Sequence, residues 1–186
     1  MEYFDIVDEN GAPTGETVSR AQAHAEGIRH RTAHIWVIRR REGRVQVLLQ
    51  KRSAQTDSFP GMYDTSSAGH IQAGDAPLPS ALRELGEELG IRAELDDLAF
   101  AGTFHIQYEE IFHGKPFRDN EVSFVFVYDH PVDAGRLVLQ REEVEAVDWF
   151  DFADTLSECE RGSDRFCVPV EGLRVLKGYL RRGNLV

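Results

Sequence analysis

The stretch Gly69-His-Ile-Gln-Ala-Gly-Asp75-Ala-Pro-Leu-Pro-Ser-Ala-Leu-Arg83-Glu84-Leu-Gly-Glu87-Glu88-Leu-Gly90-Ile91 decides how this sequence is read. Residues 77 to 90 carry helical spacing. At about 100° per residue, Glu84, Glu87 and Glu88 fall within an arc of roughly 100°. Leu78, Ala81, Leu82, Leu85 and Leu89 fall on the other side and face a core. Pro77 or Pro79 suits the first turn, and Gly90 suits the position just past the last. Carboxylates crowded onto one turn repel, each like-charge pair by a few tenths of a kcal/mol. Arg83, four residues before Glu87 and near Asp75, offsets part of that repulsion. One guanidinium does not balance the set, whereas a hard divalent cation does. An all-oxygen ligand set suits Mg²⁺ or Mn²⁺. The plain alternative is a solvated acidic helix face.

Working outward, residues 34 to 39 are rich in β-branched and aromatic side chains and read as a buried strand. Residues 45 to 51 alternate and pair back on it after the turn at Arg41-Glu42-Gly43. Residues 52 to 68 form a polar, turn-rich loop around Phe59-Pro60-Gly61. Strands are expected at 98 to 107, 121 to 128 and 144 to 150, with the charged stretch 108 to 120 as a long loop or a hairpin tip. Upstream, residues 3 to 7 read as a short strand, Asp8-Glu9-Asn10-Gly11 as a turn, and residues 17 to 26 as a helix with Ser19 as a cap and Gly27 as its stop. A last helix is expected at about 171 to 182. The order mixes α and β, with too few crossovers for an all-parallel sheet.

The chain has 186 residues, is 41% hydrophobic, and carries a net charge of -11. Such a length fits one domain. A general nucleic-acid binder would show a basic stripe, and none is visible, so no nucleic-acid partner is expected. An acidic chain that handles phosphates needs a bound cation or a few placed basic residues. Arg20, Arg31, Lys51 and Arg52 are candidates for that role, with surface solvation the alternative for each. Phe59 and Tyr63, in a loop near the acidic helix, are candidates for ring stacking on a substrate, whereas Trp36 and Trp149 read as core. Cys159 and Cys167 fit no metal or disulfide spacing and are expected to be reduced. The N-terminus lacks the pattern of a secretory signal, and no run is long enough to span a bilayer. The expectation is a soluble, cytoplasmic protein with no membrane partner.

The segment 69–91 resembles the Nudix box: a glycine, a spaced acidic residue, then Arg-Glu-Leu-x-Glu-Glu-x-Gly-Ile. It departs at Asp75, where the family carries glutamate and the shorter aspartate has less reach towards Arg83. The resemblance implies an α/β/α sandwich with a mixed β-sheet, one domain over 1–186 with residues 1–31 as an N-terminal extension. It implies a metal-dependent hydrolase acting on phosphoanhydrides of a small-molecule diphosphate. Glu87 and Glu88 would be the main metal ligands, with Glu84 beside them, Gly69 letting the backbone approach, and Arg83 completing the catalytic set. The base that activates water would be Glu84, or Glu142 or Glu143. Many relatives pair, so a homodimer is among the expectations.

Residues 3 to 155 also resemble the isopentenyl-diphosphate isomerase branch of that superfamily, through Phe4-Asp5-Ile6-Val7-Asp8, Ser19-Arg20, His30-Arg31, Lys51-Arg52-Ser53 and Pro60-Gly61-Met62-Tyr63-Asp64. Those isomerases hold a metal with histidines and acidic residues, which implies a second metal site from His24, His30, His70, Asp119 and Glu121. The isomerase also needs a cysteine just before its Gly-His pair. Here that position is Ala68, which can neither donate nor accept a proton. Hydrolysis is therefore the leading reading, ahead of an isomerase relative and of a catalytically weak phosphate-ligand module.

Overall fold

A computed structural model describes residues 2–56 and 58–184. The chain opens with a hairpin, β1 (Tyr3–Val7) and β2 (Pro13–Ser19), followed by α1 (Arg20–Glu26). Residues 17 to 19, expected to begin the helix, instead pair with β1, Thr17 opposite Asp5 and Ser19 opposite Tyr3. The helix starts one residue later because Ser19 Oγ accepts the Gln22 amide, and it stops at Gly27, which takes the left-handed conformation at φ 70°. That backbone region favours glycine because it carries no Cβ.

Next come β3 (His30–Arg41), β4 (Arg44–Arg52), β5 (Tyr63–Asp64), β6 (Ser67–His70) and α2 (Pro77–Leu89). β7 (Ala99–Phe112), β8 (Lys115–Tyr128), β9 (Val144–Asp151), α3 (Phe152–Glu160) and α4 (Val170–Arg182) complete the chain. Of the two forms expected for the charged stretch 108 to 120, a long loop or a hairpin tip, the structure has the hairpin. The stretch forms its paired arms, Tyr108 opposite Asp119 and Phe112 opposite Lys115, turning through His113 and Gly114 at positive φ. The polar segment 52 to 68 hides two short strands, and α3 has no counterpart in the sequence reading. Asp151 starts α3 by accepting the Asp154 amide.

β3 is the axis of a mixed sheet. It runs parallel to β8, from His30 opposite Glu121 to Val37 opposite Tyr128, and antiparallel to everything else it meets. Its first half pairs with β6 and its second half with β4, so β4 and β6 leave it in sequence along the same edge. Covered on both sides, β3 is buried from His30 to Ile38, hence the near-continuous apolar run through Ile35-Trp36-Val37-Ile38.

α2 lies on one face of the sheet, packing Ala81, Leu85 and Leu89 against Ile35, Val37, Leu48 and Phe126. α3 and α4 cover the other face, with Leu156, Leu173, Leu176 and Leu180 against Trp36, Val47, Leu49 and Val125. Each of these fully buried leucines contributes about 1.5–3 kcal/mol. The architecture is an α/β/α sandwich with a mixed β-sheet. No described helix is long and apolar enough to cross a membrane.

Candidate functional site

Helix α2 buries its leucines and thereby turns the acidic side towards a cavity of about 1610 Å³ lined by Glu84, Glu87 and Glu88. Gly69 on β6 faces this turn: a Cβ added there would land on the Glu84 carboxylate, so only glycine leaves that carboxylate its place. Arg83 pairs with Glu84 Oε1 at 2.8 Å and with Glu87 Oε2 at 3.1 Å, and it donates to the His70 carbonyl. Among the described residues Arg83 makes no ion pair with Asp75. The backbone carbonyl of Asp75 instead accepts from Arg31.

Glu88 is almost wholly buried. Its Oε2 accepts the Ala68 amide at 3.2 Å and Gln50 Nε2 at 3.4 Å. Burial pushes its carboxyl up to about 8, and hydrogen bonds from the Ser67 side chain and the Ala68 amide only partly oppose that rise. Burial also raises Glu84, against the pull of Arg83. Three carboxylates on one turn, with one arginine that pairs with Glu84 and Glu87 and not with Glu88, make a site short of positive charge, which suits a divalent cation.

The second cluster lies one residue along β6. His24, His30, His70 and Glu121 each offer a ligand atom, and those atoms all lie within 4.8 Å of one another. Asp119 joins them, its Oδ1 at 3.8 Å from His24 Nε2 and 4.0 Å from His30 Nε2. All five residues expected from the sequence are thus gathered, from α1, β3, β6 and β8. The parallel register that sets His30 opposite Glu121 makes this meeting possible.

The hydrogen bonds determine which ring nitrogens are free. His24 Nδ1 donates to the Arg20 carbonyl and His30 Nδ1 to the Ile28 carbonyl. Both Nε2 atoms then point into the cluster, that of His24 lying 3.3 Å from His70 Nε2. Such backbone anchoring of the far nitrogen is how imidazole ligands are oriented. Burial drives His24 down to about 4 and His70 well below its ordinary range, so the rings are neutral and available as ligands. Burial raises Glu121 well above a normal carboxylate, with Asp119 adding to the rise. His30 Nε2 and Asp119 Oδ1 are buried without a hydrogen-bond partner, which is costly unless something else satisfies them. Three imidazoles and two carboxylates suit a transition ion such as Mn²⁺ or Zn²⁺ better than Mg²⁺.

Phe4, fully buried, stacks on His70 at 4.6 Å and on His30 at 4.9 Å. It seals the cluster from the N-terminal side, a role no sequence pattern announced. Thr32 was also missed; its Oγ1 donates to Glu121 Oε2 at 2.9 Å.

The basic and aromatic candidates divide. Phe59 and Arg52 line the cavity. Arg52 is fully engaged in holding the loop, donating to the Ser58 carbonyl, Ser58 Oγ and Asp64. Arg31, Lys51 and Tyr63 do not line the cavity. Arg31 is buried against Asp5 at 2.6 Å because β1 brings that carboxylate beside it. Lys51 pairs with Glu145 across β4 and β9, and the Tyr63 hydroxyl donates to Asp148. The free thiol of Cys167, expected to be a bystander, is at the cavity wall, whereas Glu142 and Glu143 reach it from the turn before β9.

The mixed-sheet sandwich thus sets an acidic helix turn against a glycine-bearing strand on one cavity. The NUDIX domain profile matches residues 28–166, and the chain belongs to the Nudix family. It is 40% identical over 155 residues to Nudix hydrolase 3 of Arabidopsis thaliana, covering 82% of this chain and 20% of that protein. An uncharacterized Nudix hydrolase of Clostridium acetobutylicum is 38% identical over 143 residues, covering 77% of this chain and 66% of that protein. The chain therefore spans about a fifth of the first relative and just under two thirds of the second. An uncharacterized Nudix hydrolase of Yersinia pestis is 31% identical over 185 residues, covering 99% and 88%. Among crystal structures, a Deinococcus radiodurans protein matches the fold with a TM-score of 0.68 at 17% identity, covering 96% of this chain and 99% of that one. The Nudix domain of a Shewanella oneidensis protein bound to ADP ribose matches with a TM-score of 0.58 at 15% identity, covering 91% and 100%.

Proposed function

We propose that the chain is a divalent-cation-dependent pyrophosphohydrolase. It cleaves a phosphoanhydride in a nucleoside di- or triphosphate or a related diphosphate. The observation that supports this most is the convergence of Glu84, Glu87 and a buried Glu88 on one cavity beside Gly69. These three carboxylates are the ligands we assign to Mg²⁺ or Mn²⁺. When bound, such an ion neutralises phosphate charge and lowers the pKa of a coordinated water. Arg83 keeps Glu84 and Glu87 in place by pairing with both. Proton abstraction from the attacking water falls to Glu84, or to Glu142 or Glu143.

His24, His30, His70, Asp119 and Glu121 are assigned to a second ion. Their gathering favours one further reading, an isomerase relative, but Ala68 on β6 offers no proton for that chemistry. One screen separates the readings. The protein is incubated with Mg²⁺ and a panel of nucleoside and sugar diphosphates, and phosphate or monophosphate release is measured. Turnover that Glu88→Gln removes is the expected result. Binding without turnover would overturn hydrolysis in favour of a ligand-binding module. Isotope exchange between the isopentenyl and dimethylallyl diphosphate isomers would overturn it in favour of isomerisation.

A further inference from the structure

His34 stands at the floor of the cavity, and neither the metal chemistry nor the core uses its ring nitrogens. It is 6% exposed, sits on β3 opposite Ala68 of β6, and lines the cavity that holds the carboxylates of α2. Behind it the floor is shut. The Phe104 ring meets the imidazole edge-on, 5.3 Å between centroids and at 82°. Trp36, two residues further along the strand, shares the face of His34. A Cβ on Gly172 of α4 would touch both Phe104 and Trp36, so the helix closes over them.

The polar side chains nearby are committed elsewhere. Thr32, two residues back on the same face, bonds Glu121 and Ser123. Asp64 accepts from Arg52 and from the Thr65 amide. Glu88 accepts from Gln50 and from the amide of Ala68, directly across from His34. His34 Nδ1 is thus buried without a hydrogen-bond partner among the described residues, whereas Nε2, also unbonded, opens on the cavity. Other donors line the same cavity, Gln55, Gln107, His113 and Lys115 among them, but each of these is exposed to solvent.

Burial drives the His34 imidazole down to about 4 against the pull of Asp64, so the ring is neutral near pH 7. A neutral imidazole has one N–H and one bare nitrogen. A buried N–H without an acceptor forfeits its hydration outright, and orphaned donors are rarer than orphaned acceptors. The proton therefore belongs on Nε2, aimed into the cavity, with the bare Nδ1 sealed in the wall. The result is an uncharged donor held in place by the Phe104 ring.

Resting on the hydrolase reading, we infer that His34 is a substrate-binding residue whose Nε2–H donates to an acceptor oxygen of the bound diphosphate substrate. Its place favours a phosphate oxygen, because the amide of Ala68 opposite ends on Glu88, which we assign to the metal. An oxygen of the organic group is the other source of the same chemistry, and the test separates the two.

Protein labelled with ¹⁵N-histidine is studied in Mg²⁺ near pH 7, with His34 assigned by the loss of its signals in His34→Gln. Long-range ¹H–¹⁵N spectra are expected to show a neutral ring protonated at Nε2. Methylene diphosphonate, a non-hydrolysable diphosphate, should shift the Nε2–H resonance. A shift with methylene-bridged ADP and none with the diphosphonate would assign the oxygen to the organic group. A cationic ring, a proton on Nδ1, or an Nε2–H that neither bound analogue moves would overturn the inference. Calorimetry follows the binding of each analogue, and failure of both to bind would overturn it too.

Two variants read the same bond through turnover. His34→Phe keeps the ring volume and removes both the donor and the buried orphan. It should be at least as stable as wild type in urea and bind Mg²⁺ with unchanged affinity. Its kcat/KM should fall roughly 10- to 150-fold, the worth of a hydrogen bond to a charged oxygen, or roughly 2- to 12-fold for an uncharged one. His34→Gln, whose amide can reach the same point, should recover much of that loss. A Phe variant as active as wild type, or one that loses stability and activity together without rescue by Gln, would give His34 a packing role instead and sink the inference. If no diphosphate is hydrolysed, the hydrolase reading fails, and the His34 resonance with bound analogue still decides this one.

Discussion

Glu88→Gln separates the electrostatic account of the acidic turn from a purely structural one. In the metal-free protein, burial lifts the Glu88 carboxyl from its ordinary 4.5 to about 8. Between those values the folded chain holds a proton that the unfolded chain has lost. Stability must then fall as pH rises through 4.5 to 8 and level off above. At about 1.36 kcal/mol per pH unit the ceiling on that loss is near 5 kcal/mol, and structural relaxation reduces it to a few kcal/mol. Glutamine keeps the shape, and its carbonyl can accept from both Ala68 and Gln50, since both bonds fall on the same oxygen, Oε2. The variant never ionises, so it should lack this slope. The assay is urea unfolding in EDTA from pH 5 to 9. Wild type and variant should match near pH 5, and the variant should be more stable by a few kcal/mol at pH 9. Adding Mg²⁺ at about 100 times its dissociation constant should stabilise the wild type by about 2.7 kcal/mol and the variant by less. Parallel pH profiles in EDTA, or a variant weaker than wild type at pH 9, would refute the reasoning.

Two other perturbations probe how the site is held. Asp5→Ala leaves the Arg31 guanidinium buried without a carboxylate and frees the Gly74 amide that Asp5 also holds. The expected loss is about 3–5 kcal/mol in urea unfolding, and a loss under about 1 kcal/mol would contradict a buried pair of this kind. Gly69→Ala should push the Glu84 carboxylate aside at little cost in stability, because the obstructed atoms are the end of a flexible side chain. Mn²⁺ affinity, read by titration, should fall at least about tenfold. Unaltered Mn²⁺ binding would remove Glu84 from the ligand set.

Much of the fold was legible because it rests on local patterns. The α2 helix declares itself through Leu85 and Leu89 on one side and three glutamates on the other, with Pro77 and Gly90 at its ends. β3 and β4 show in their β-branched runs, and Ser19 and Gly27 mark the ends of α1. What the sequence left open or misplaced has a common cause. Residues 108 to 120 leave a loop and a hairpin tip both open, because charged side chains do not show that the backbone pairs along the whole hairpin. Arg31 looks like a phosphate ligand because nothing nearby in sequence shows that Asp5 will neutralise it. Tyr63 looks like a stacking platform until β9 supplies Asp148 and Phe150 as its partners.

The sequence alone determined the acidic turn. Glu84, Glu87 and Glu88 are spaced by the helical repeat, a property of a dozen consecutive residues, and so is their opposition to the leucines. Only the tertiary structure decided what that turn faces. His24, His30, His70, Asp119 and Glu121 come from four separate elements, brought together by the parallel pairing of β3 with β8 and capped by Phe4. Convergence of that kind depends on strand register and helix placement over many residues, and short-range spacing carries no information about it.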